Sequence, residues 1–307
     1  MLPALSYRDF EPTQTTLHLF SQVVGKIQLR YTRHRNHWWN MTFVPSARGL
    51  TTRSMRHEET FFDAAFDFID HQLVIRSNRA HAPAILKLYD GLTVREFYRS
   101  VIDALAAMGV PVNIYAKPYG MGVTTPFEQD DEHHTYDAVR VREWWNAIAW
   151  TSDVLQEFAA RFDGKQSPVQ LFWHSFDLAM SRYDGKRSDR PPSPNPVERE
   201  AYSHDVIAFG FWSGDVNVTE PSYYTYTAPE PATLAQMELR PQGAHWAPSG
   251  TGHLGLFPYA AVRSAPDPRD TLLDFFESGY EAGTTAAAWD VAQLASDFIA
   301  KDYRSDG

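Results

Sequence analysis

The sequence predicts an α+β fold. Two similar halves, each with a helix, four antiparallel strands and a closing helix, form a curved antiparallel sheet with helices on one face. Three observations predict it. Aromatic and apolar residues alternate with polar ones in several short segments, which is typical of strands. Other segments have helical spacing and capping residues. The same order of elements then occurs twice along the 307 residues. Helices on one side of such a sheet bury the apolar face of each element.

In the first half, residues 1–12 are predicted to be irregular, and apolar positions at helical spacing predict a helix from Thr13 to Gly25. Strands are then predicted over 38–44, 50–53, 61–70, 71–77 and 82–89, with a hairpin turn at Asp70-His71.

The strongest helix signal lies at the end of this half, from Thr93 to Met108. Thr93 stands at the N-cap, Glu96 completes a capping box, and Gly109 follows the last turn. One face of the helix is apolar, with Val94, Phe97, Val101 and Leu105.

A short strand over 112–116 ends the first half, and a linker or lid of residues 119–136, rich in Gly, Pro and acid, follows it. A long helix over 137–162, strands within 169–182, a Pro-rich loop over 184–199 and an irregular stretch over 228–252 follow in order. The remaining predicted elements are strands over 202–212, 223–227 and 255–262 and helices over 268–282 and 286–301. The predicted organisation is a first half of 1–118, the linker or lid, and a second half of 137–307.

The case for an internal duplication rests on matching landmarks. Gly25-Lys26 and Gly164-Lys165 follow a helix, aromatic pairs begin the next strand, and Arg48 and Arg182 close comparable strands. No short-period repeat array is present.

Composition excludes several classes. The net charge of −10 argues against nucleic acid, which requires clustered Lys and Arg. The zero cysteine count excludes disulfides and thiolate sites and fits a cytoplasmic protein. No signal peptide and no membrane-length apolar run is expected, so we predict that the protein is not bound to a membrane. We also predict a monomer or weak homodimer. No P-loop, G-x-G-x-x-G or G-x-S-x-G motif is present.

Several short stretches carry a family resemblance: NHWW (36–39), ARGLTT (47–52), FDFIDHQLVI (66–75), SPVQLFWHSFDLAMSR (167–182), REAYSH (199–204) and SGYEAG (278–283). Together they resemble a bacterial family of uncharacterised proteins, domain of unknown function 5996, over nearly the whole chain. The resemblance implies a single-family protein and assigns no catalytic residue.

The first candidate site lies on the strand within 169–182. If this strand is regular, Asp177 shares a small and polar face with Trp173 and Ser175, which suits a lined cavity. Arg182 lies near the strand end and is able to bind a carboxylate or phosphate. We predict a catalytic role for Asp177 and ligand binding for Arg182. An internal ion pair between them is the alternative.

A second group surrounds His204. Glu200, Tyr202 and His204 share one face of a predicted strand, where Glu200 and His204 lie about 13 Å apart, too far for easy chelation. His204 is a candidate general base because imidazole titrates near neutrality. The alternative is a structural histidine.

Four further residues complete the ligand-binding set. His37 and Trp39 form a stacking wall if their strand is regular, or else end in the core. Arg48 is the first-half equivalent of Arg182, and the two arginines together favour an anionic ligand. Glu230 lies in a tight Pro-Glu-Pro after a strand, where a plain exposed turn acid is the alternative.

We therefore predict a small-molecule binding protein or enzyme, with a polar-aromatic cleft on the open sheet face, for an anionic ligand. One alternative is a metal-dependent enzyme that uses His and carboxylate ligands, from Glu200 and His204 or from the segment 128–137 with His133-His134. For that segment a solvated acidic linker is favoured, because no recognised metal-binding spacing is present. The other alternative is a non-catalytic interaction module with a flat apolar patch. The sequence identifies no cofactor.

Overall fold

The structure, a computed structural model, describes residues 2–189, 193–250 and 252–296. It confirms the α+β class, with helices and antiparallel strand pairs. Within the described residues, none of the helices combines the length and apolar character that crossing a bilayer requires.

Two compact units divide the chain, and their sequences are interleaved. The N-terminal unit comprises Leu5–Ala149 and Gln170–Asp177. The C-terminal unit comprises residues 2–4, Trp150–Val169 and the described residues from Leu178 onward. The predicted linker or lid of 119–136 lies inside the N-terminal unit. Duplication of two halves at 1–118 and 137–307 stays a prediction.

The N-terminal unit contains helices α1 (Tyr7–Tyr31) and α2 (Val94–Ala107) and the first part of α3 (Ala138–Ala159). Its strands are β1 (Thr42–Pro45), β2 (Gly49–Thr51), β3 (Met55–His57), β4 (Thr60–Asp67), β5 (Gln72–Ser77), β6 (Ala84–Lys87) and β7 (Gln170–Phe172). The antiparallel sheet has the order β7-β1-β2-β4-β5-β6, with β3 paired to β4.

The core of this unit lies between the sheet and helices α1 and α2. The Phe20 ring on α1 stacks on Phe97 of α2 at 4.1 Å, and Phe97 lies 6.3 Å from Phe66 of β4. Phe43 of β1 packs edge-on against Phe66 at 5.8 Å. Because side chains alternate along a strand, the neighbour of Phe43, Thr42, points to the opposite face.

Helix α1 is longer than predicted at both ends. Ser6 caps its start, and Gly25 does not end it. A Cβ at Gly25 would lie 2.4 to 2.5 Å from ring atoms of Trp173. Gly25 is therefore a close-packing position on the helix rather than a stop.

Three predicted strands are corrected, and a fourth, 255–262, ends at Pro258, where a helix begins. Residues 36–38 form a 3-10 turn, with φ of 56° at His37 and 60° at Trp38, and β1 begins only at Thr42. Residues 112–116 have no strand structure. The stretch 169–182 is not one strand, because residues 173–176 form a turn in which Phe176 has a φ of 61°.

The C-terminal unit contains, besides the rest of α3, helices α4 (Pro196–Ala201), α5 (Tyr259–Ser264), α6 (Pro268–Ala286) and α7 (Val291–Leu294). Its strands are β8 (Asp177–Arg187), β9 (His204–Trp212), β10 (Ser222–Ala228), β11 (His245–Ser249) and β12 (Gly252–Pro258). They pair in the order β11-β12-β10-β9-β8. Residues 190–192 of the predicted loop and 297–301 of the predicted last helix lie outside the described residues.

Two contacts shape this unit. Helix α6 approaches β10 closely at two glycines. A Cβ at Gly279 would lie 2.7 Å from Thr225, and one at Gly283 would lie 2.6 Å from Thr227. The start of the chain is bound by α5: the Tyr259 hydroxyl donates to the Pro3 carbonyl at 2.9 Å.

Candidate functional site

Three side chains of the N-terminal unit form what we call the guanidinium–amide cluster: Thr42, Arg53 and Gln170. The Thr42 hydroxyl donates to Oε1 of Gln170 at 2.8 Å. Nη2 of Arg53 donates to the same oxygen at 3.4 Å. The register of β1 and β7 pairs Phe43 with Leu171, which places Thr42 and Gln170 on the face that does not meet α1 and α2.

Two nitrogen donors of this cluster lack acceptors. Nε of Arg53 and Nε2 of Gln170 are both buried, and neither has a hydrogen-bond partner in the described part of the chain. A buried donor without a partner costs about 1–3 kcal/mol, so most native proteins avoid one. Here two such donors lie in side chains that contact each other, and this arrangement requires an explanation.

The charge at the cluster is also unbalanced. Burial lowers the pKa of Arg53, and the positive charge of Arg35 lowers it further. Across residues 2–189, 193–250 and 252–296, no carboxylate forms an ion pair with Arg53. The cluster therefore offers donors and positive charge without matching acceptors.

Two residues predicted from the sequence lie next to this cluster. The Trp39 carbonyl oxygen lies 3.1 Å from the Thr42 hydroxyl. The His37 and Trp39 rings lie 5.4 Å apart, and His37 is buried. The 3-10 turn, and not a shared strand face as predicted, brings these rings together.

Arg48 lies apart from the cluster. Its side chain is half exposed and binds Asp67 and Asp70, each at 2.7 Å. Burial alone would raise the pKa of Asp67, but the Arg48 guanidinium and the backbone N–H groups of Ile69 and Asp70 lower it overall. The two carboxylates compensate the positive charge of Arg48, which disfavours an anionic ligand at this residue.

Arg182 occupies a different environment from Arg48. Its side chain is fully buried in the C-terminal unit, stacked on Phe158 with Tyr280 nearby, and its Nη2 donates to the Phe158 carbonyl at 2.5 Å. Burial lowers its pKa to about 10. Arg182 is therefore part of an aromatic core.

Asp177 lies beside an imidazole that the sequence analysis did not select, His174. The Ser175 hydroxyl donates to Asp177, and the Asp177 charge favours the charged form of His174. Burial outweighs this and lowers the pKa of His174, whose Nδ1 is buried without a partner among the described residues. Burial also lowers the pKa of His18 on α1 to about 4. The unit thus contains two buried imidazoles with a lowered pKa, His174 beside Asp177 and His18 beside His174.

The segment predicted to be a linker or lid is attached to α1 by one side chain. Oε1 of Gln22 accepts a hydrogen bond from the backbone N–H of Tyr119, and its Nε2 donates to the Tyr119 carbonyl, both at 2.8 Å. Nε2 of Gln22 also lies 3.2 Å from Nε2 of His18. Gln22 therefore connects this segment to His18.

The group around His204 is arranged differently from the prediction. Glu200 lies in α4, Tyr202 ends that helix and His204 begins β9, so the three do not share a strand face. The Tyr202 hydroxyl lies 3.3 Å from that of Tyr226, and Nδ1 of His204 lies 3.1 Å from the Ser203 hydroxyl. Burial, followed by the charges of Lys165 and Arg187, lowers the pKa of His204. A proton-transfer role for His204 stays a prediction.

Glu230 has a partner that the sequence did not indicate. Its Oε1 lies 2.7 Å from Nδ1 of His253, and its Oε2 accepts from the His253 backbone N–H at 2.6 Å. His253 is 23 residues away, on β12. Glu230 is therefore not a plain turn acid.

Acidic side chains of the segment 128–137 form hydrogen bonds and an ion pair within the fold. The Asp130 side chain is buried and accepts from the backbone N–H groups of Glu132 and His133, and its Oδ2 lies 2.9 Å from Nδ1 of His133. Asp131 binds Arg95 at 2.7 Å. The expectation of a solvated linker is therefore wrong for Asp130. Among the residues that the structure describes, no three His, Asp or Glu side chains are grouped to hold a metal ion.

Comparison with known proteins identifies the chain through its family alone. No curated protein and no solved structure matches the chain. A family model described as a family of unknown function matches residues 2–296, nearly the whole sequence, in agreement with the resemblance carried by the short stretches above. The chain therefore belongs to DUF5996.

Proposed function

We propose that this protein binds a small molecule through an anionic group, a carboxylate or a phosphate, at the guanidinium–amide cluster. The observation that carries the proposal is the pair of buried donors, Nε of Arg53 and Nε2 of Gln170, without acceptors among the described residues. An oxyanion has several acceptor oxygens, so one ligand is able to accept hydrogen bonds from both donors.

The chemistry of arginine supports an oxyanion over a neutral ligand. A guanidinium presents its Nε and Nη donors as a rigid fork that matches the spacing of carboxylate and phosphate oxygens. In Arg53 one Nη donor is held by Gln170, while Nε remains for a ligand. The nearby positive charge of Arg35 adds attraction for an anion.

The protein as a whole carries a net charge of −10. This supports a small anion and not a polyanion, since a nucleic acid would be repelled by the rest of the surface. The aromatic rings of His37 and Trp39, next to the cluster, are suited to contact the remainder of the ligand. A cytoplasmic location remains our expectation, because the chain has no cysteine.

The test begins with native mass spectrometry of protein purified without added ligand, compared with the denatured mass. We expect an organic adduct that carries an acidic group. The second measurement is the shift in melting temperature with inorganic phosphate and with acetate. A ligand at about ten times its Kd stabilises by roughly 1.4 kcal/mol, about 2 °C for a protein of this size.

Two variants and one control make the test specific. Arg53→Met removes both charge and donors, and Gln170→Leu removes a donor but no charge. Arg56→Met is the matched control, because Arg56 is exposed and binds Glu59 at 3.2 Å. Loss of adduct and anion response in the two variants but not in the control supports the site. An adduct or anion response that survives Arg53→Met would refute it.

A further inference from the structure

We propose that His253 is a nucleophilic imidazole, activated by Glu230, that accepts an acyl group from an activated ester or thioester. This site lies in the C-terminal unit and is independent of the anion site proposed above. Its basis is the geometry of the pair, in which one carboxylate binds both the ring and the backbone of the same histidine.

The hydrogen bonds fix which ring nitrogen is available. Nδ1 of His253 lies 2.7 Å from Oε1 of Glu230, so in neutral imidazole Nδ1 carries the proton and donates it to the carboxylate. The lone pair is then on Nε2. Within the described ranges, Nε2 of His253 has no hydrogen-bond partner, and the side chain is 36% exposed. The His253 side chain is therefore partly open to solvent, on an edge that does not bind Glu230.

The position of the carboxylate is set by its neighbours in sequence. Glu230 stands between Pro229 and Pro231, and a residue before proline is restricted to extended backbone conformations. A Cβ at position 252 would lie 2.1 Å from Oε2 of Glu230, so only glycine allows this approach to the backbone. The two hydrogen bonds to His253 hold the carboxylate in place before any substrate arrives, which lowers the cost of organising the site.

The reaction balances without a cofactor. Nε2 of His253 forms a bond to the acyl carbon, and the ester C–O or thioester C–S bond breaks. Its electron pair leaves with the alkoxide or thiolate, which takes a proton from solvent water. The acyl-imidazolium that forms is positively charged, and its Nδ1–H remains bound to the Glu230 carboxylate, which stabilises that charge. Water then attacks the acyl carbon, the C–N bond breaks with its electron pair returning to Nε2, the acid leaves, one proton is released to solvent, and neutral His253 is restored. Glu230 acts on the reaction through His253 and is a positioning residue.

The probes are diethyl pyrocarbonate, which transfers an ethoxycarbonyl group to neutral imidazole, and p-nitrophenyl acetate, which reports turnover. The internal control is His245, an exposed histidine on the adjacent strand whose Nδ1 lies 3.1 Å from the Gly243 carbonyl rather than near a carboxylate. Peptide mapping after brief treatment with diethyl pyrocarbonate compares the two histidines in one sample of the full chain. We expect His253 to be modified at least about tenfold faster, the fold-change that corresponds to the lower end of the range for a hydrogen bond to a charged group.

Variants separate activation from structure. Glu230→Gln keeps an acceptor oxygen but removes the charge, and it should reduce the advantage of His253 over His245 to within about twofold, with an unchanged melting temperature. His253→Gln should remove p-nitrophenyl acetate turnover, and His245→Gln should leave it intact. Equal modification of the two histidines in the unaltered protein would overturn the proposal without any variant. An undiminished advantage in folded Glu230→Gln would overturn the role of the carboxylate.

Discussion

The guanidinium carbon of Arg182 lies 3.7 Å from the centroid of the Phe158 ring, so a positive charge stacks on an aromatic face inside the C-terminal unit. Tyr280 and Phe162 lie 4.5 and 5.0 Å from the same carbon. Burial lowers the pKa of Arg182 to about 10, which shows that the surroundings disfavour its charge. Below about pH 9 this penalty is constant, because the guanidinium is charged in both the folded and unfolded chain.

We expect Arg182→Met to keep or raise the free energy of unfolding, because methionine fills a similar volume without a charge to desolvate. Arg182→Ala should lower it by about 3 kcal/mol, because it leaves a cavity among the rings. Urea unfolding at pH 7.5 measures both. Equal losses in the two variants would mean that the charge itself stabilises the unit.

His18 predicts a specific pH dependence of stability. Its pKa is lowered from 6.5 to about 4 by burial, against opposing hydrogen bonds to backbone. The unfolded chain therefore binds more protons between these values. The contribution of His18 is fully present above about pH 6.5 and is lost as pH falls to 4, by roughly 3 kcal/mol.

His18→Gln should flatten this part of the stability curve, measured by urea unfolding at several pH values between 4 and 7.5. The exposed His81 provides the control, since His81→Gln should leave the slope unchanged. An unaltered slope in His18→Gln would mean that other groups, such as His174, bind the protons.

Gly25→Ala tests the close contact between α1 and Trp173. Alanine favours a helix by about 1 kcal/mol over glycine. Here the added Cβ would lie 2.4 Å from the Trp173 ring, and overpacking typically costs about 1–3 kcal/mol. We expect a net loss of stability in thermal unfolding. Gly122→Ala, where no atom lies within 4 Å, should be close to neutral.

The attachment of the segment 119–136 to α1 is measurable by hydrogen exchange. The Tyr119 amide donates to the Gln22 side chain. Gln22→Met should speed exchange at this amide by about tenfold, the equivalent of one hydrogen bond of roughly 1.4 kcal/mol. The amide of Phe127, which donates to the Ala116 carbonyl, should be unaffected. Unchanged exchange at Tyr119 would show that other contacts hold this segment.

The sequence predicted best where local chemistry decides the structure. Helix α2 begins and ends where the Thr93–Glu96 capping box and Gly109 indicate, because those signals lie within a few residues of each other. The turn at residues 173–176 is not evident in the sequence because its aromatic residues are typical of a strand and no Gly, Pro or Asn marks a turn. Phe176 has a positive φ that a sequence does not display.

The candidate site was predictable only in part. His37 and Trp39 were selected from an aromatic cluster that is visible in the sequence. Arg53 was not, because its partner Gln170 lies 117 residues away and each residue alone has no distinguishing signal. Arg48 and Arg182 were selected by position, but one is bound by two carboxylates and the other is enclosed by rings. Partners brought together by the sheet decide the role of an arginine more than its place along a strand does.

The interleaving of the two units has a consequence for how the gene can be divided. Strand β7, with Gln170, follows a stretch that belongs to the C-terminal unit, and Pro3, which Tyr259 binds, precedes the N-terminal unit. No single cut in the coding sequence therefore yields both units intact as separate fragments. We expect separately produced fragments of this protein to be insoluble alone and to regain structure only when they are produced together.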